Sequence, residues 1–460
     1  MSLAANAKFD VAIVGAGFAG IACAIALIRR NPAFNIVLLD PAAKLPAGLP
    51  FAGARPEHLL NVRADQMTLD NARPLNFCDY LAGKTGETSA AFREVFAQRA
   101  LYCDYLRTNL SQAQRDAAAA TGQIKHIAIQ VNQIARSSAG YLISGSQTGV
   151  GDIAQVSAPH LVLALGAGQN KAPMAHPRWH AGPWYLTDLP AHSDSDAALI
   201  IGTGLTGVDS AQTLHRLGWR GAIRMLSPNA RLPAAHATFA VPTWTLAAQF
   251  VQQSQTPRLF LRALRAELAL ARAEAVDWRS VINALRPITP RIFSQWTPLQ
   301  RASILKRAGS LWRLHRNRMP THVATLIQSL ESVGQLSRVC GRFIEASASS
   351  DSPVQVRVLV NANVSAKVEE EMQDYALVID ARGPNYRCQS WPLVEALITD
   401  GMLTASQTGW GLHVDLDGRA GDKIYAIGVL CYGERLETTS VPEIRQQADR
   451  IAELITACLD

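Results

Sequence analysis

Two glycine-rich segments constrain this chain more than any other feature: GAGFAG at positions 15–20 and GTGLTG at 202–207, 187 positions apart. Each lies between an apolar run and a helical pattern, the local context of a βαβ unit. One such turn also closes ordinary strand-to-helix corners. Two copies, each with its strand and its helix, describe a chain that holds two nucleotides face to face, as a two-cofactor oxidoreductase does.

In the first unit, residues 9–14 (FDVAIV) are too apolar for a half-exposed strand and fit a buried parallel one. Gly15 makes the turn, Gly17 removes a side chain where the backbone must approach a pyrophosphate, and Gly20 lets the helix pack close to the strand. The amide end of a helix over about 19–29 then meets the phosphate charge. A second strand at 35–39 delivers Asp40, 20 positions after Gly20, where an acid accepts hydrogen bonds from ribose hydroxyls. An acid there disfavours a 2′-phosphate, so this cradle reads as the FAD site.

The second unit repeats the plan with a strand at 197–201, the glycines Gly202, Gly204 and Gly207, a helix through Leu214 and a strand at 222–226. Ser227 stands at the offset that Asp40 holds in the first unit, with Arg224 before it and Arg231 after it. No acid repels a phosphate there, and a hydroxyl with guanidinium groups suits the 2′-phosphate of NADPH. The plainer reading of Arg224 and Arg231 is as solvated surface arginines, and the sequence leaves both open.

At 460 residues the chain exceeds one compact core, and two apolar runs mark the joints. Residues 160–165 (HLVLAL) end in Gly166 and Gly168, and 376–379 (ALVI) end at Asp380 before Gly383. Such strands stand where a chain leaves a flavin domain and where it comes back. The expected fold class is α/β: two Rossmann-like dinucleotide-binding domains, the second inserted in the first, with a helical insertion. The boundaries follow as 1–165 and 376–460 for the FAD domain, 166–245 and 320–375 for the NADP domain, and 246–319 for the helices. A last strand at 423–427 reaches Gly428, which joins Gly166 among the expected cofactor-binding residues. Residues 440–443 (SVPE) form a capping box that opens a final helix, whose N-terminus, if aimed at the flavin, would favour the anionic reduced ring.

The net charge of +7 has a local origin: between Arg258 and Arg318, 13 Lys and Arg face only Glu267, Glu274 and Asp277. Two stripes, Leu261, Leu264, Leu268 and Ile304, Ala308, Leu311, Trp312, His315, predict buried helix faces there. His315 then reads as a packed histidine with one hydrogen bond, the alternative being a catalytic one. The arginines are left as a solvated face or, alternatively, as a basic wall toward an anionic substrate or cofactor phosphates. No aromatic-interleaved basic repeat accompanies the charge, so nucleic acid is not an expected partner. The seven cysteines include no C-x-x-C and no histidine at metal-ligand spacing, which argues against a disulfide reductase and a metal site. No apolar run is long enough to span a bilayer and none at the start resembles a secretory signal, so the expectation is a cytoplasmic enzyme with no membrane partner.

Several segments together resemble the bacterial FAD-NAD(P)-binding proteins related to class B and N-hydroxylating flavin monooxygenases. They are GAGFAG; 58–62 (HLLNV) with Met67; 96–106 with Arg99, Tyr102 and Tyr105; GTGLTGVD through Asp209; 312–318; and 437–445 (ETTSVPEIR), the most specific of them. The resemblance implies an FAD enzyme reduced by NADPH, in which a flavin hydroperoxide hydroxylates a small substrate. It also implies that Asn61 contacts the isoalloxazine edge where oxygen reacts, the alternative being a loop asparagine bonded to its own backbone. Relatives often carry an aspartate after the glycine that matches Gly428; Val429 stands here instead. The Baeyer-Villiger fingerprint is not reproduced around His176, Trp179, His180 and Trp184. Two other functions stay open: an NADPH-dependent reductase passing electrons to a quinone or protein acceptor, and a flavin-binding sensor without turnover.

Overall fold

A computed structural model describes residues 7–147, 153–168, 170–239, 241–349, 352–361 and 368–458. Its first sheet has six strands in the order Arg419–Gly421, Ile424–Ala426, His160–Leu163, Val11–Val14, Asn35–Leu39 and Gln123–Ile127, and every neighbouring pair but the first is parallel. Val11–Val14 is buried on both faces. Val11 and Ile13 pack toward the helices Phe18–Arg30 and Val441–Thr456, while Ala12 and Val14 pack toward a small sheet of Ala7–Lys8, Ile153–Ala158, Gly140–Gln147 and Ile129–Ser137. Burial on both sides is why this run shows no polar alternation.

The second sheet has seven strands in the order Val368–Tyr375, Val354–Asn361, Leu336–Ser347, Ala222–Ser227, Ala197–Ile201, Leu377–Asp380 and Trp179–His180. The first three form antiparallel pairs and the others are parallel. One boundary therefore moves. Leu377–Asp380 pairs with Ala197–Ile201, so the chain returns to the first domain after Asp380 and not at 376 as expected. The strand is as apolar as those of the first sheet, so composition could not assign it and only the pairing does. Past it, the outgoing and returning segments lie side by side: the Asn385 amide donates to Gly168 O at 2.8 Å, and Asn170 Nδ2 donates to Gly383 O at 3.0 Å.

Helices Pro257–Ala273, Trp278–Leu285, Thr289–Ser294 and Pro298–Arg316 follow one another, and the stripes are half borne out: Leu264, Ile304 and Trp312 pack against a core with Phe260, Leu285, Phe293 and Trp296, while Leu261, Leu311 and His315 are exposed. In Pro257–Ala273 the buried residues are Phe260, Ala263, Glu267 and Ala271, with Leu261 36% exposed. Glu267 is buried because it accepts from Trp244 Nε1 at 2.7 Å and from the Ala247 amide at 2.9 Å. Pro298–Arg316 buries Arg301, Leu305, Gly309 and Arg316, whereas Leu311 and His315 are exposed. His315 is thus not packed, and it bonds only its own helix, Nδ1 to Leu311 O at 2.9 Å, with an edge contact to Trp278.

The arginines divide. Arg258, Arg262, Arg265, Arg272, Arg291 and Arg307 are exposed, as a solvated face, whereas Arg286, Arg301 and Arg316 meet an acidic row on the C-terminal segment. Arg301 pairs with Glu434, Arg316 with Glu437 and Glu443 at 3.2 Å each, and Arg286 with Glu443 through both carboxylate oxygens. Trp312 Nε1 adds a bond to Glu437 Oε1 at 2.7 Å. Burial pushes the Glu443 carboxyl up, but Arg286 and Arg316 outweigh it and hold it below its ordinary value. Glu437 shares Arg316 and is raised, because burial wins there. Once recruited in this way, Glu443 no longer serves a capping box: the Val441–Thr456 helix starts at Ser440 with no side-chain cap. A capping box does form at Thr297 and Gln300, at the start of Pro298–Arg316.

Candidate active site

The first cradle is built as its spacing requires, each glycine for its own reason. Gly15 sits at φ +101°, and a Cβ there would lie 2.3 Å from Ala164 O; a Cβ at Gly20 would lie 2.0 Å from Gly15 O. Those two glycines are demanded by the fold. A Cβ at Gly17 would meet only ordinary contact, 3.5 Å from the Cα of Gly48. The second cradle repeats this: Gly202 (φ +123°) would clash with Ala381 O at 2.2 Å and Gly207 with Gly202 O at 2.2 Å, while nothing lies within 4 Å of a Cβ on Gly204. In both cradles the middle glycine is the one that the protein itself does not need.

Around the first cradle, Asp40 accepts from the Ala16 amide at 2.8 Å and from the Ala42 amide at 2.9 Å, so the acid is tied to the glycine turn. Gly166 follows the strand whose end packs on Gly15; it is exposed, at φ +68°. Gly428 (φ +73°) comes beside the start of the cradle helix, with Ala19 Cβ 3.9 Å from the place of its own Cβ. Its amide donates to Gln447 Oε1 at 2.9 Å and its carbonyl accepts from Thr438 Oγ1 at 2.8 Å, which fixes it to the C-terminal helix. Gly48 was not anticipated. It caps the cradle through the preceding residue, whose amide donates to Ala16 O at 3.0 Å.

Around the second cradle, the Ser227 hydroxyl bonds Thr203 Oγ1 at 2.8 Å and accepts from the Ala230 amide at 3.0 Å, so it is already engaged within the turn. Arg224 is not a solvated surface group: it reaches across the sheet to Glu371, Gln373 and Tyr375. Arg231 is exposed beside the turn.

Asn61 lies at the seam. It lines a small cleft with Leu59, Arg99, Leu205, Asp209 and Met319, so the first domain and the helix of the second cradle share its walls. Its carbonyl accepts from His236 Nε2 at 2.9 Å, and its side-chain amide has no hydrogen bond to its own backbone. Buried polar pairs close the seam: Arg99 Nη1 to Asp209 Oδ2 at 2.6 Å, and His58 Nε2 with Thr213 Oγ1 at 2.9 Å. Burial lowers the His58 pKa, with Arg99 and Arg55 adding to it. His236 escaped the sequence reading because its loop carries no periodic pattern. Among the described residues no group of three His, Cys, Asp or Glu could hold a metal ion, and no helix is long and apolar enough to cross a membrane.

A family model described as FAD-NAD(P)-binding matches residues 12–168, which include the first cradle and Asn61. No curated protein matches the sequence significantly. Among solved structures, the reduced form of an ornithine hydroxylase from Pseudomonas aeruginosa is similar over 98% of this chain and 100% of that one, at 16% identity and a TM-score of 0.67. An ornithine N-hydroxylase from Kutzneria sp. 744, described with reduced FAD, NADP+ and L-ornithine, is similar over 98% and 100% at 13% identity and a TM-score of 0.63. A bacillithiol disulfide reductase from Bacillus cereus is similar over 98% and 99% at 11% identity and a TM-score of 0.55. The chain shares the two-domain α/β fold of these structures over 98% of its length.

Proposed function

We propose that this chain is an FAD-dependent oxidoreductase reduced by NADPH, and that it is a monooxygenase acting on a small molecule. One observation carries the reading: each cradle spares a side chain at its middle position, Gly17 and Gly204, where nothing in the fold requires glycine. Space kept free between a turn and a helix N-terminus suits a pyrophosphate. Gly15, Gly17, Gly20, Asp40, Gly166 and Gly428 would hold FAD. Gly202, Gly204, Gly207, Ser227 and Arg231 would hold NADPH, with Arg231 as the group still free to meet a 2′-phosphate. FAD, when bound, takes electrons from a reduced nicotinamide and delivers them to oxygen.

The chain's own part is positioning. Arg99–Asp209 and His58–Thr213 hold the two domains together behind Asn61. Asn61 has a side-chain amide available to orient what enters the seam. Oxygen chemistry is preferred to disulfide reduction because no two cysteines lie at C-x-x-C spacing.

The test is rapid mixing of the FAD-loaded protein with NADPH. Bleaching of the flavin without oxygen, followed by oxygen uptake that yields a hydroxylated product, supports the proposal. Bleaching with electrons passed only to a quinone would make the protein a reductase, and no bleaching at all would make it a flavin-binding protein without turnover.

A further inference from the structure

A cavity opens within the helices, between Pro257–Ala273, Thr289–Ser294 and Pro298–Arg316, and it shares no lining residue with the Asn61 cleft. Its floor is Phe260, Ile292 and Phe293, all buried, and its rim is Leu261, Ala308 and Trp312, all at least partly exposed. The room comes from one helix face: Ile304 and Trp312 are large, and Ala308, one turn from each, leaves a notch between them. Gly309 beside it is buried on the same wall. A Cβ there would meet nothing nearer than Arg313 Nη1 and Tyr432 Oη, both at 3.6 Å, so the fold does not ask for glycine, although a glycine inside a helix weakens it.

Water gains nothing in this space. The side-chain donors on its walls are already bonded to the protein: Thr289 Oγ1 to Leu285 O at 2.7 Å, Trp296 Nε1 to Ser254 O at 2.8 Å and Trp312 Nε1 to Glu437 Oε1 at 2.7 Å. A water stays in a cavity only where polar groups hold it, and an apolar cavity takes an apolar guest. Size then narrows the guest. A dry cavity of about 150 Å³ takes benzene, whereas this one has about 50 Å³, which fits the end of an aliphatic chain and not a ring.

Charge selects the other end of that guest. Arg258 and Arg265 stand three residues before and four after Leu261, and Arg307 three after Ile304, so all flank the mouth at helical spacing. Each is exposed, with no ion pair among the described residues. Pro298–Arg316 carries no acid, and the only one in Pro257–Ala273, Glu267, is buried and bound to Trp244 and Ala247.

We propose that this cavity is a second ligand site, for a single aliphatic chain with an anionic head. The chain end enters the notch at Ala308, and the head stays in water among Arg258, Arg265 and Arg307. Leu436 forms one wall, and two residues later Thr438 Oγ1 donates to Gly428 O at 2.8 Å, so the guest lies against the segment that ties Gly428 to the C-terminal helix. The site goes beyond the function proposed above and holds whether or not the chain is a monooxygenase.

The test is isothermal titration of the FAD-loaded protein with octyl sulfate, 1-octanol and octylammonium chloride, each below its micelle concentration. Octyl sulfate should bind saturably and change the emission of Trp296 and Trp312. It should bind about fivefold tighter than 1-octanol, and octylammonium weaker than either, with the gaps closing at high salt as exposed charges are screened. Ala308→Leu fills the notch and should weaken octyl sulfate and 1-octanol alike by on the order of tenfold, the effect of displacing about two methylenes. The triple variant Arg258→Gln, Arg265→Gln, Arg307→Gln changes only exposed groups and keeps the fold. It should erase the preference for octyl sulfate and leave 1-octanol affinity as it was. Absence of saturable octyl sulfate binding, wild-type binding in Ala308→Leu, or an anion preference that survives in the triple variant overturns the proposal. So does a wild-type dimer that Ala308→Leu breaks apart, which would give the groove to a second copy, or binding to anionic vesicles without binding to octyl sulfate. Flavin bleaching by NADPH is read on the same sample, and octyl sulfate binding to a protein that does not bleach would refute the monooxygenase reading alone.

Discussion

Replacing Gly204 by alanine should separate the second nucleotide site from the fold that carries it. Gly204 has φ −72° and ψ −172°, a backbone that alanine adopts without strain, and no heavy atom lies within 4 Å of its added Cβ. Two small folding terms oppose each other: alanine caps a helix less well than glycine, by roughly 0.5 kcal/mol, and glycine's lost freedom in the unfolded chain returns about 0.4–1 kcal/mol. The urea midpoint should hardly move. The same methyl on Gly207 would lie 2.2 Å from Gly202 O, so backbone must shift, and a loss on the order of 1–3 kcal/mol of folding stability is expected. Binding answers differently. A methyl at Gly204 pushes a pyrophosphate off the helix amides, and losing two hydrogen bonds to a charged acceptor at about 1.5 kcal/mol each gives roughly 3 kcal/mol. At 1.4 kcal/mol per tenfold, that is on the order of 100-fold. The assay is anaerobic bleaching of the FAD-loaded protein against NADPH concentration: the half-saturating concentration should rise by about that factor while FAD content and urea midpoint stay. Wild-type reduction in Gly204→Ala would show that no dinucleotide uses this cradle, and the proposed function would fall with it.

Glu443→Gln leaves Arg286 and Arg316 without their shared carboxylate, and since Arg316 and Glu443 are each 9% exposed, a loss of about 2–4 kcal/mol is expected. A lower urea midpoint with faster trypsin cleavage inside 257–316 would bear this out, and an unchanged midpoint would mean that the pairs do not hold the insertion in place. His236 makes stability pH-dependent. Its pKa is lowered in the folded state to about 4, so the unfolded chain takes up the proton first, and its contribution, full above about 6.5, drains away as pH falls toward 4. At 1.36 kcal/mol per unit the whole window is worth roughly 3 kcal/mol, about 2 of it gone by pH 5. His236→Gln should flatten the urea midpoint between pH 7 and 5, and an equally steep dependence in that variant would assign the effect elsewhere, His58 being the first candidate.

What could be read from the sequence follows the range of the forces involved. The six cradle glycines and their flanking strands were legible because each need is local: a left-handed turn at Gly15, a helix packed on its own turn at Gly20, an opening at Gly17. The joint at 376 was not legible, since Leu377–Asp380 has the composition of a strand in either sheet and only pairing with Ala197–Ile201 chooses. The buried arginines of the insertion escaped for a deeper reason. Arg301 meets Glu434, 133 positions away, and a pattern that counts apolar residues at helical spacing cannot see a partner that arrives with the other end of the chain. The two capping boxes make the same point: Thr297 and Gln300 form theirs because nothing competes, while Glu443, with equally good spacing, is drawn off by two arginines. The seam around Asn61 is made almost wholly of such distant pairs, Arg99 with Asp209, His58 with Thr213 and His236 with Asn61. The cradles are local and rigid, whereas their mutual placement rests on a few buried polar contacts between domains. Substitutions at those contacts should therefore alter how the two nucleotides face each other while leaving each cradle able to bind its own.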